Sequence, residues 1–147
     1  MINRMSELPA NTGDKAAVWI ERAGMLVESA GFAAERSYWP LACHQMVMAA
    51  ELAIKAAYIA EGATAPRSQD IVTLLADCPA ESIKEQINQS LGDDDLDRFT
   101  RYNNMIHPYI RDVGQDSYIW CQEAADLVRQ IVEKALALLP KGGGLAR

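Results

Sequence analysis

The chain has 147 residues, enough for one domain with its own core, and half of them are apolar. A formal net charge of −6 counts against a general nucleic-acid binder, because that affinity comes from Lys and Arg neutralising phosphates. The three cysteines, Cys43, Cys78 and Cys121, are odd in number and form no CxxC, which points to reduced thiols in a cytoplasmic protein rather than a disulfide framework.

Ala, Leu, Glu, Gln and Met are frequent and strand-like alternation is nearly absent, so an all-α fold is expected. Residues 1–13, with Pro9, Asn11 and Gly13, read as a flexible N-terminal arm without the apolar run of a signal peptide. Asp14 is placed to cap a first helix from Lys15 to about Ala30. Val18, Met25 and Leu26, with Ala17 and Trp19 nearby, form its expected buried stripe, and Gly31 is the expected stop.

A joint at Ser37-Tyr38-Trp39-Pro40 leads into a second helix that runs to about Glu61. Pro40 suits its first turn, where a missing N–H costs nothing. This helix is apolar over most of its circumference, which assigns it to the centre of a bundle or to a subunit interface. Gly62 is the natural stop. Ser68 is placed to cap a short helix, Gln69 to about Ala76, ended by Cys78-Pro79. A helix from about Ala80 to Leu91 carries Ile83, Ile87 and Leu91 at helical spacing.

Asp93-Asp94-Asp95 fits the first turn of the next helix, about Asp94 to Ile106, where carboxylates meet the positive end of the dipole. Pro108 and Gly114 bracket a loop. A last long helix, about Ser117 to Leu139, is expected to bury Ile119, Trp120, Leu127, Ile131 and Leu138, and residues 140–147 read as a flexible tail. The expected architecture is an up-and-down bundle of about five helices with one short extra helix, over residues 14–139. The apolar stretches are too short and interrupted to span a bilayer.

Chemistry-bearing side chains gather in Arg101-Tyr-Asn-Asn-Met-Ile-His107-Pro-Tyr109. His107 can carry a proton near neutral pH as a general base or acid; in the last helical turn before a proline it can equally serve as a C-terminal cap. Arg101 keeps its charge and can grip phosphate with two parallel bonds, or it can pair with Asp97 one turn earlier. On a straight helix their offset of six residues separates the two side chains by about 120°, so they converge only where the helix bends or ends. Asn103 lies four residues before His107 on the same face. Glu51 and Lys55, at i and i+4, read as a surface pair or as polar groups turned toward the groove that holds His107. His44 reads as a half-buried structural histidine and the cysteines as core residues. No metal-ligand spacing, cofactor motif or DNA-specific motif is evident.

Two stretches together resemble the HEPN family, named for higher eukaryotes and prokaryotes nucleotide-binding. The first is Ala42-Cys-His-Gln-Met-Val-Met-Ala-Ala-Glu51-Leu-Ala-Ile-Lys55, similar to the family's Ala-Ala-Glu-x-x-x-Lys helix. The second is Pro66-Arg-Ser-Gln-Asp70-Ile71 followed by Leu74-Leu75, similar to the family's Pro-x-Thr-His-Asp-Leu lead-in to the third helix. Ribonuclease members carry Arg, four to six residues, then His; here five residues separate Arg101 from His107, and Tyr102 stands where Asn or another polar residue is common. His107-Pro108-Tyr109 matches the His-x-Tyr of a subgroup of prokaryotic toxins.

The resemblance implies a metal-independent ribonuclease of toxin or defence type, acting on RNA as a homodimer with its Arg-His stretches facing across a cleft. It also implies that Tyr109 is the residue adenylylated by a partner nucleotidyltransferase antitoxin. A non-catalytic HEPN dimer that binds a nucleotide or a partner protein is the alternative, and a plain helical interaction domain is a third.

Overall fold

The computed structural model describes residues 12–67, 70–103 and 113–138. Among them are six helices and no strand: α1 (Thr12–Glu35), α2 (Trp39–Ala60), α3 (Ile71–Ala76), α4 (Glu81–Ser90), α5 (Asp93–Asn103) and α6 (Gln115–Ala137). The fold is the expected all-α bundle.

Two helix ends set the path of the first half. Gly31 does not stop α1. The residue that leaves the helix is Ser37, with φ 61°. Tyr38 N–H donates to Ala33 O at 2.9 Å and Ser37 N–H to Ala34 O at 2.9 Å. This closes a Schellman turn with a serine in the left-handed position. At the end of α2 the same pair of bonds recurs around Gly62, with φ 77°: Ala63 N–H reaches Tyr58 O at 3.0 Å and Gly62 N–H reaches Ile59 O at 2.9 Å. There the expected glycine stop is borne out. Pro40 sits in the first turn of α2, as its chemistry favours.

α2 is the central helix. It packs against α1, α3, α5 and α6, and it buries Ala42, Cys43, Met46, Val47, Ile54 and seven further apolar side chains. Alanines make up much of this contact, so neighbouring backbones approach closely and the partner face on α1 is small too: Ala16, Ala23, Ala30 and Ala33. That corrects the expected stripe on α1. Val18 and Met25 point to solvent, at 45% and 60% exposure, because the alanine line on the opposite side of the helix is the one that fits against α2. Half-buried Trp19, Ile20 and Val27 flank it. A similar correction applies to α6, whose buried line is Ser117, Cys121, Ala124, Ala125, Val128 and Val132. Ile119 and Leu138 are exposed, while Trp120, Leu127 and Ile131 pack against the core edge.

The middle of the chain follows its caps. Asp70, not Ser68, caps α3: its carboxylate accepts from Val72 N–H at 3.2 Å. Ser68 and Gln69 lie outside the described residues. Tyr58 ties α2 to α3 by donating its hydroxyl to Leu74 O at 2.6 Å, and burial pushes that phenol up to about 12. Ile83, Ile87 and Leu91 are buried as their spacing predicts, and α4 packs on α6. All three cysteines are free and buried; the Cys43 and Cys121 thiols hydrogen-bond between α2 and α6. The first helix begins at Thr12, not Lys15, so Thr12 and Gly13 are helical; the rest of the expected arm, residues 1–11, and residues 139–147 lie outside the described residues.

Candidate functional site

Arg101 belongs to the last turn of α5. The helix opens on Asp93-Asp94-Asp95, as expected, so its acids meet the positive end of the dipole and Arg101 the negative end. Leu96 and Phe99 hold the inner face, and Arg101 emerges exposed. Among the described residues no ion pair joins it to Asp97.

The next residue turns inward and fixes how α5 sits. Tyr102 is half-buried with its ring 6.2 Å from that of Trp120, and its hydroxyl accepts from Arg98 Nε at 3.3 Å. The Arg98 guanidinium lies 4.3 Å from the centre of the Trp120 ring, and Phe99 meets the same indole at 5.2 Å. This cluster, with a cation over an aromatic face, locks the helix against α6. Tyr102, a departure from the family pattern in the sequence, is therefore an anchor of α5. Asn103 is half-buried at the end of the helix. His107 and Tyr109 lie outside the described residues.

Glu51 is not a surface residue. It is 3% exposed in the middle of α2, and its Oε1 has no hydrogen-bond partner among the described residues. Burial pushes its carboxyl up to about 8; Lys55, one turn on, pulls the other way, and the charge of Asp70 adds to the rise. A carboxyl so placed is mostly neutral and protonated at pH 7. Lys55 is half-buried. Asp70 carries more than its cap: Thr73 Oγ1 donates to its Oδ2 at 3.0 Å, and Thr100 Oγ1 to its Oδ1 at 3.1 Å. Thr100 is the residue before Arg101, so Asp70 fastens the start of α3 to the last turn of α5. The structure thus brings Glu51, Lys55, Asp70 and Thr100 together where α2, α3 and α5 meet. Sequence reasoning missed the Asp70–Thr100 link. Its available signal was a helix-capping Asp directly before the apolar run Ile71, Leu74, Leu75.

In chemical terms the junction offers a half-buried ammonium and a neutral carboxyl, and the exposed Arg101 follows Thr100 on α5. No group of three or more His, Cys, Asp or Glu side chains among the described residues could hold a metal ion. No helix among them is long and apolar enough to cross a membrane.

A family model described as the HEPN domain matches residues 16–138. The chain belongs to the HEPN family. The matched span contains every candidate residue, from Glu51 and Lys55 on α2 to Arg101, Asn103, His107 and Tyr109. The same comparisons found no match among curated proteins or solved structures. Within this HEPN domain, α2 is the Ala-Ala-Glu-x-x-x-Lys helix, and Asp70 of the Pro66–Ile71 stretch is the cap of α3.

Proposed function

We propose that this HEPN domain is a metal-independent endoribonuclease of toxin or defence type, working in the cytoplasm as a homodimer. His107 removes the proton of the ribose 2′-OH, whose oxygen then attacks the adjacent phosphorus. Arg101 stabilises the charge that builds on the phosphate oxygens, and the bond to the 5′-oxygen breaks as that oxygen gains a proton. Asn103 positions His107 or the substrate. Lys55 adds positive charge, and Glu51, neutral at pH 7, does not cancel it. The observation that supports this reading is the exposed Arg101 at the end of α5, in a HEPN sequence with five residues between it and His107. A two-fold dimer doubles the set of cations and proton carriers at a shared cleft.

The test is purified wild type against His107→Ala and Arg101→Ala on single-stranded RNA in EDTA. Wild type should cleave RNA and spare DNA, because the attacking group is the 2′-OH. Each variant should lose on the order of a hundredfold while melting like wild type. Tyr109→Phe should keep basal cleavage and escape adenylylation by a partner nucleotidyltransferase. The net charge of −6 favours a second reading, a non-catalytic dimer that binds a nucleotide or a protein partner. Equal cleavage by wild type and His107→Ala, or none by either on several RNAs, would make that the better account.

A further inference from the structure

α2 and α6 meet rung by rung near their starts. The Trp39 and Tyr118 rings stand 6.1 Å apart, and one turn further along each helix the Cys43 and Cys121 thiols hydrogen-bond to one another. Both cysteines are fully buried and both are free. Small side chains follow them along the seam. Ala124 and Ala125 come next on α6, and Ala50 lies two turns on from Cys43 on the same side of α2, all buried. Small residues let two helices approach closely, and a disulfide needs Cα atoms about 4.4–6.8 Å apart. Arg98 sets a fixed positive charge near both sulfurs while it stacks on the indole of Trp120, the residue before Cys121. The hydrogen bond that the Cys121 thiol donates holds the Cys43 thiol below its ordinary range against its burial, and Arg98 adds to the lowering. The bond to Cys43 and burial push Cys121 up, so Cys43 is the sulfur that ionises first. Cys78 stands apart, buried between α3 and α4, and burial pushes its thiol up.

We propose that Cys43 and Cys121 are an oxidation site, where hydrogen peroxide converts the two thiols to a disulfide that staples α2 to α6. The deprotonated Cys43 sulfur attacks one oxygen of the peroxide. The O–O bond breaks, the departing hydroxide takes up a proton and leaves as water, and Cys43 becomes a sulfenic acid. The Cys121 sulfur, losing its proton, then attacks the Cys43 sulfur; the S–O bond breaks and a second water leaves. The two thiols together give up two electrons and two protons, and one peroxide takes them up. Burial sets the selectivity. Hydrogen peroxide is barely larger than water, so brief local openings admit it and keep bulky thiol reagents out. The Cys121 sulfur is already in contact, so it captures the sulfenic acid before a second peroxide arrives. An S–S bond of about 2.05 Å is shorter than any thiol hydrogen bond, so α2 and α6 draw together beside Trp120. That indole carries Arg98, Phe99 and Tyr102, and the redox state of the pair therefore reaches the anchor of α5 directly. A dithiol reverses the bond by exchange. No step involves RNA or His107, so the ribonuclease reading can fail without touching this one.

The full chain, folded and free of reductant, is incubated with hydrogen peroxide, then unfolded, alkylated and mapped by peptide mass. Of the three thiols, only Cys78 should remain to be alkylated. A cross-linked pair of peptides should carry Cys43 and Cys121 and be lighter than their sum by two hydrogen atoms. Helical circular dichroism should be unchanged, the melting temperature should rise, and a dithiol should restore both thiols and the original melt. Cys78→Ser should give the same cross-link. Cys121→Ser should leave Cys43 as a sulfenic acid that a dimedone-type reagent traps, whereas Cys43→Ser should leave Cys121 a thiol. Three alkylated cysteines in wild type after prolonged exposure would overturn the site. So would a disulfide that includes Cys78, or a Cys43–Cys121 bond that appears only once the helical signal is lost.

Discussion

Ser37 and Gly62 occupy equivalent left-handed turns, yet only one of them has the residue that such a turn favours. A side chain in this conformation costs about 1–2 kcal/mol, partly offset in glycine by its freer unfolded state. Ser37→Gly should therefore stabilise the domain by up to about 1 kcal/mol, and Gly62→Ala should destabilise it by a similar amount. Denaturant midpoints with unchanged slopes would check both; equal signs for the two would refute the shared turn. Glu51 invites a pH experiment. Its folded carboxyl is raised from 4.5 to about 8, so within that window the folded chain keeps a proton that the unfolded chain has lost. Stability due to this group must fall as pH climbs from 4.5 to about 8 and stay level above it. Glu51→Gln cannot ionise. It should match wild type in acid and exceed it at pH 9 by a few kcal/mol, on the order of 3. Parallel melting curves for the two proteins from pH 4 to pH 9 would show that the carboxyl is not desolvated.

The elements show where sequence is informative and where it falls silent. α2 is legible as the central helix because it is apolar all round, and α4 because Ile83, Ile87 and Leu91 leave one face possible. The inner face of α1 is not, because Val18 and Met25 carry more apolar surface than the alanines that in fact pack. Which face wins depends on how close α2 can come, and that distance is a property of two helices together. The Gly31 stop fails for a related reason: glycine permits a left-handed turn and does not require one. At the candidate site, Arg101 and the acidic first turn of α5 can be read from their positions. The burial of Glu51 and the bridge from Asp70 to Thr100 join residues distant in sequence, and no periodicity encodes them. Ile54 and Leu52 test the helix map. Ile54 is fully buried, so Ile54→Asp should unfold the domain by placing an unpaired charge in the core. Leu52 is half-buried, so Leu52→Asp should leave a folded but weakened protein. Loss of helical circular dichroism in Ile54→Asp alone is the expected result.

At the scale of the molecule, polar chemistry and the apolar stripe occupy different regions of the bundle. Arg101, Asp70 and Thr100 lie where α5 meets α3, next to the middle of α2, whereas Val18, Met25 and Phe32 lie on the outer side of α1. Between them lies the alanine-lined contact of α1 with α2. A side chain that is already a single methyl leaves little void when it is trimmed, but any carbon added there must push the helices apart along a shared length. The room for sequence drift in this core is therefore one-sided. Positions such as Ala23 and Ala30 can shrink with modest loss and can hardly grow, so the spacing of α1 and α2 is held by what the core cannot admit.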